Sequence, residues 1–139
     1  MTPAKQAFIA SSVSVSILII MDLAFIYLYA KRVYGELIQR VQKSPLNSQN
    51  KKGAFSAGFL TYVLLAVGMV VFVRPWEGRQ EEALGKGLVF GGVMYGMYSC
   101  TLFAVLDEWN ASVAVGDTLW GAFLFGMAAL VGNIVVHMT

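Results

Sequence analysis

Residues Gly87 to Leu106 read GLVFGGVMYGMYSCTLFAVL, twenty positions without a formal charge. At about 1.5 Å per residue this run reaches across the ~30 Å hydrocarbon core of a bilayer, so it reads as a transmembrane helix. On a wheel of about 100° per residue, Gly87, Gly91, Tyr95 and Tyr98 share one face. Gly92, Gly96 and Ser99 share the adjoining face, with Val89, Phe90, Val93, Met94 and Met97 opposite. Helices in lipid associate through small residues that let backbones approach. Two stripes built on Gly87 and Gly91 and on Gly92 and Gly96 therefore predict two neighbours, with this helix in the middle of a bundle.

The surrounding chain has the same character. It has 139 residues, 58% hydrophobic and 13% charged, with a mean hydropathy of +0.66. At about 20 residues per crossing, it holds four spans with short connections as one transmembrane domain, residues 1–139. The other apolar runs are Phe8 to Ala30, Ala54 to Val73, and Thr118 to Met138. The first is too long for a signal-peptide core and ends in Tyr27, Tyr29, Lys31 and Arg32. Its helical period continues through Val33, Leu37 and Val41, between Lys31, Arg32, Arg40 and Lys43, so the first helix extends beyond the membrane. SPLNSQN, residues 44–50, is a breaker-rich connection. Trp76, Trp109 and Trp120 stand near span ends, where amphipathic rings concentrate. The predicted fold is an all-α integral membrane four-helix bundle with an extended first helix.

Basic residues in short flanking segments orient such a chain. Lys31, Arg32, Arg40, Lys43, Lys51 and Lys52 lie on one side, against Lys5, Arg74, Arg79 and Lys86 on the other. Connections 31–53 and 107–117 are therefore expected on the cytoplasmic side, with both termini opposite. Asn110-Ala111-Ser112 matches a glycosylation acceptor pattern, but its place in an inside connection makes the match a chance one. Several classes lose support. One His and one Cys exclude a His/Cys metal cage, no cofactor motif or nucleic-acid footprint is visible, and no P-loop, metalloprotease helix or nucleophile elbow occurs. Ser99 and Cys100 have no nearby histidine as general base, because His137 falls near the opposite membrane face. The expected protein is not an enzyme, carries no cofactor, and has the lipid bilayer and other membrane proteins or its own copies as partners.

Depth gives the site expectation. Asp22 is eight positions from Ala30, Tyr98 eight from Leu106 and Thr61 seven from Ala54, each about 10–12 Å deep from one side at the helical rise. A carboxyl at that depth is costly, so Asp22 is expected to face the bundle, protonated or hydrogen-bonded, with Tyr98, Ser99 and Thr61 as partners. Ser11, Val15, Leu18, Asp22 and Tyr29 form one inward stripe. Asp117, nearer the surface, fits an N-cap for Thr118; Trp120 follows it. Thr101 is placed to bond back to the carbonyl of Met97. Asn133 is expected to meet a partner helix, and Asp107 with Glu108 reads as solvated loop.

Three segments carry a resemblance: MDLAFIYLYAKRVYGEL (21–37), GGVMYGMYSCTLFAVLDEW (91–109) and VGDTLWGAFL (115–124). In that order they resemble domain of unknown function family 2177, small four-span membrane proteins of bacteria. The resemblance sets Asp22 at the family's Asp-Leu position and Tyr34 at its following tyrosine. It sets Tyr98 and Thr101 in a Tyr-Asp-x-Thr-Asn motif, and Asp117, Trp120 and Gly121 in an Asp-x-x-Trp-Gly motif. Ser99 and Leu102 replace that motif's aspartate and asparagine, which removes an acid and an amide from the polar layer. It also weighs against activities that need two intramembrane carboxyls. The functional expectation is a structural or accessory subunit of a larger membrane assembly. The alternative is a small-solute, ion or proton transport element around Asp22, against which stands the absence of proline from every span.

Overall fold

The computed structural model describes residues 2–43 and 51–139; the connection SPLNSQN lies outside the described residues. The first pass is one continuous 40-residue helix. It comprises α1 (Pro3–Phe25), a π-helical turn (Ile26–Ala30) and α2 (Lys31–Gln42). The second pass is α3 (Lys51–Gly68) running into another π turn (Met69–Val73), the third is α4 (Gln80–Val105) and the fourth α5 (Ala111–Met138). All four passes are long and apolar enough to cross a membrane.

Local chemistry explains the ends. Thr2 accepts the Lys5 amide ahead of Pro3, whose missing N–H is harmless in a first turn. Glu81 and Glu82 begin α4, where the helix dipole favours acids. Asn110, not Asp117, caps α5: its Oδ1 accepts the Ser112 amide at 2.8 Å. The fourth helix thus starts seven residues before Thr118, and Asp117 sits inside it rather than at its tip. The cap gives Asn110 a structural role within the pattern Asn110-Ala111-Ser112.

The centre of the bundle is α5, not the third pass. Half of the most apolar window of α5 is buried, against 17% for α4 and 22% for each of the first two passes. The cause is small residues on more than one face of α5. Gly121 and Gly126 admit α4, and Gly132 admits α1, where an added Cβ would meet the Ala10 carbonyl and Ser14. Both glycine stripes of α4 turn to this one neighbour. A Cβ on Gly91 would strike the Gly121 carbonyl, one on Gly87 the Phe125 carbonyl, one on Gly96 Thr118 at 3.1 Å and one on Gly92 Ala122 at 3.5 Å. Two stripes make one broad interface, while Val89, Val93 and Met97 face outward. Around Leu124 and Phe125 the core gathers Leu18 from α1, Leu65 from α3, Met69 and Val73 from the second π turn, and Ala83 from α4. Ser14 Oγ fastens α1 to the Ala128 carbonyl at 2.8 Å.

The two π turns reset faces. Lys31 N–H donates to Ile26 O, and Arg74 N–H to Met69 O at 2.9 Å, both five residues back. Such a turn inserts one residue and rotates the downstream helix by about 100°. The inward row of α1 is therefore Ala10, Ser14, Leu18 and Asp22, continuing at Ala30 and Leu37. Tyr29, expected inward, is 53% exposed. At the opposite end, buried Asn133 does not reach another helix. Its Nδ2 donates to the Pro75 carbonyl at 2.9 Å and the Gly78 carbonyl at 3.2 Å, pinning the 74–79 turn, where Arg74 and Gly78 adopt positive φ.

Candidate polar cleft beneath the membrane interface

Asp22 leaves α1 one turn before the π insertion and is 7% exposed. Three donors from three different passes converge on its carboxyl. Tyr62 Oη of α3 donates to Oδ2 at 2.7 Å, Trp120 Nε1 of α5 to Oδ1 at 3.1 Å, and Tyr95 Oη of α4 to Oδ1 at 3.5 Å. A carboxyl with two oxygens has about four acceptor sites, so one remains beyond these three. No lysine or arginine pairs with it among the described residues. The ion pairs there, Arg74–Glu77 at 2.8 Å and Arg79–Glu81 at 3.8 Å, are exposed and belong to the opposite end of the bundle.

Asp22 does gather polar side chains from the other passes, with partly different members from those expected. Trp120 is among them. Thr61 is not: it is exposed, and its hydroxyl turns back to the Ala57 carbonyl at 2.9 Å, leaving its neighbour Tyr62 to face Asp22. Tyr98 makes no bond to Asp22 and is 62% exposed; Tyr95, one helical turn earlier, takes that role. Ser99 is fully buried and donates to Asp117 Oδ2 at 2.8 Å, not to Asp22. Thr101 bonds back to the Met97 carbonyl at 2.7 Å, as its position predicts. Asp117 is 7% exposed, a second carboxyl in the interior. Ser99, at the position where the resemblance has an acid, thus hydrogen-bonds the acid of α5.

Both carboxyls line one cleft of about 340 Å³, which runs from Asp22 up to exposed Lys31 and to Tyr34, Ile38 and Trp109. It opens toward the side that carries residues 31–43 and 106–110. Its walls are aromatic: Phe25 stacks on Trp120 with centroids 4.3 Å apart, and Tyr34 on Trp109 at 6.1 Å. A second hollow of about 360 Å³ adjoins it across Phe25, Tyr34, Asp117 and Trp120. The π turn contributes directly, because residues 26 and 30 line the first hollow, and π turns recur at functional sites. Trp109 is 5% exposed, and its indole N–H finds no acceptor among the described residues. Of the residues that sequence reasoning missed, Tyr62 lies one position from Thr61, and Tyr95 lies on the glycine face already marked on the third pass.

No curated protein and no solved structure matches the chain. The sequence profile of one family of predicted membrane proteins, DUF2177, matches residues 7–134, a range that takes in all four passes, both carboxyls and every aromatic wall of the cleft. This chain, a polytopic helical membrane protein, therefore belongs to the DUF2177 family.

Proposed function

We propose that the protein is a non-enzymatic, small-solute binding and transport element acting through the cleft at Asp22 and Asp117. One observation carries this reading: the intramembrane carboxyl Asp22 borders a cavity rather than being sealed among side chains. Tyr62, Trp120 and Tyr95 already satisfy most of its acceptor capacity, and the edge that it keeps on the cavity leaves about one acceptor site open to a ligand. A concave site with a few convergent polar groups is the usual form of a ligand site. No span has a proline break, but a π turn interrupts the first pass beside the cleft and offers a local irregularity of the kind found at functional sites.

The test is uptake of a panel of small solutes and of protons into liposomes containing the purified protein, with wild type beside Asp22→Asn. Asparagine retains an acceptor for Trp120, and the tyrosine hydroxyls can rotate to accept from its amide. The variant should therefore fold and lose uptake. Absence of uptake of every solute by the wild type would refute the proposal.

The accessory-subunit reading retains one observation of its own. The first half of α3 shows small residues outward: Ala57, Gly58 and Thr61 are exposed, and no atom lies within 4 Å of a Cβ built on Gly58. Such a surface suits another transmembrane helix. A protein that retains a stoichiometric partner in mild detergent, and loses it on Gly58→Leu, would favour this second reading.

A further inference from the structure

We infer that the cleft takes a small organic monocation, a quaternary ammonium or protonated amine, held between the carboxyls of Asp22 and Asp117 and the faces of its tyrosine and tryptophan rings. This rests on the reading of the cleft as a solute site and adds the chemistry of the solute. Three features converge on it. First, the charge is one-sided at depth. Two carboxyls line the hollow and neither is paired with a lysine or arginine among the described residues, so a cation is favoured there over an anion or a neutral solute. Asp117 spends only Oδ2, on Ser99. Lys31 also lines the hollow, but it is exposed and holds its Nζ 5.8 Å from the Tyr27 ring.

Second, much of the rest of the wall is aromatic, beside the aliphatic Ile26, Ala30 and Ile38. Tyr95, Tyr98, Trp109 and Trp120 line the cleft, and Tyr98 stacks on no other ring among the described residues. Aromatic faces with a carboxyl nearby attract alkylated ammonium groups, which carry their charge on a greasy shell. An inorganic cation instead demands several oxygens. No cluster of three or more His, Cys, Asp or Glu side chains exists among the described residues to supply them.

Third, the buried indole N–H of Trp109 on the same wall lacks an acceptor. A buried donor left unpaired is unfavourable; the atom is closed to solvent in this structure, so a hydroxyl, ether or ester oxygen beside the ammonium would satisfy it on a turn of the Trp109 ring toward the hollow. The volume, about 340 Å³, lies at the small end of ligand sites and admits an amine of that kind.

The experiment follows intrinsic tryptophan fluorescence of the full chain in a maltoside detergent. Two of its three tryptophans, Trp109 and Trp120, line the cleft. The probes are choline, its neutral carbon isostere 3,3-dimethylbutan-1-ol, and the anion 3,3-dimethylbutyrate, which share shape and differ in charge. Choline should saturate the signal at concentrations about tenfold or more below the other two. Asp117→Asn should remove most of that preference, and Tyr98→Leu, at an exposed position, should weaken choline by about twofold to fivefold. The wild-type comparison needs no variant to fold. If the alcohol or the carboxylate binds as tightly as choline, the cation inference is overturned while the cleft remains a solute site. If none of the three binds, the cation inference is overturned, and the solute reading stands or falls with the uptake panel. Displacement of choline by a short-chain phosphocholine lipid would assign the amine to a lipid headgroup, and displacement only by free amines to a solute; either upholds the cation.

Discussion

Replacing Gly91 by alanine adds one methyl group at the tightest point of the α4–α5 interface. On the present backbone that methyl would lie inside the van der Waals envelope of the Gly121 carbonyl and 2.8 Å from the Phe125 Cβ. Neither is the far end of a flexible side chain, so the helices themselves must part, by roughly 1–1.5 Å to restore ordinary contact. Overpacking of this kind costs about 1–3 kcal/mol. The strain lands beside the polar layer, because Tyr95 is one turn from Gly91 and Trp120 adjoins Gly121. Alanine itself is the better helix former, by about 1 kcal/mol, so the expected loss is net of that gain. Gly85→Ala isolates the gain, since no atom lies within 4 Å of its Cβ position. Reversible unfolding in mixed detergent and SDS micelles measures both variants. Gly91→Ala should be destabilised and Gly85→Ala unchanged or more stable. Equal stability of Gly91→Ala and wild type would refute close backbone contact at α5, and equal destabilisation of the two would show that the effect is not packing.

Tyr62→Phe removes the shortest hydrogen bond to Asp22 and should cost about 1 kcal/mol, whereas Thr61→Val, at an exposed hydroxyl bonded within its own helix, should leave stability unchanged; the same unfolding assay ranks the pair. Asn133→Ala strips the Pro75 and Gly78 carbonyls of their donor and should destabilise by about 1–3 kcal/mol, with faster amide exchange across residues 74–79 as its local signature. Asn110→Ala should lower stability by about 1 kcal/mol through the lost cap, and Asn110→Ser should recover most of it; failure of that recovery would place the role of Asn110 elsewhere.

That Asp22 would meet side chains of other passes was legible because rise per residue is nearly constant along any helix, so groups at similar heights on neighbouring helices can be matched by counting. The identity of those side chains was less legible because one residue is about 100° of rotation, and that angle separates Thr61 from Tyr62. Asp117 was assigned to a helix tip because the acidic connection before it resembles loop. Asn110 caps earlier and draws Asp117 into the interior beside Ser99.

By itself, the sequence determined the solvent and the number of crossings, because transfer into lipid is close to additive over residues and needs no knowledge of neighbours. It also marked Gly87 and Gly91 as points of close approach, since a missing side chain is a local fact. Only the tertiary structure decided that α5 is the hub and that both glycine stripes serve one partner. The same holds for the first π turn, which carries Tyr29 out and Ala30 in, and for the joining of Asp22 and Asp117 in one cleft. Each of these depends on the relative phase of two helices. Phase is set by the whole interface and by backbone turns that no single residue type announces.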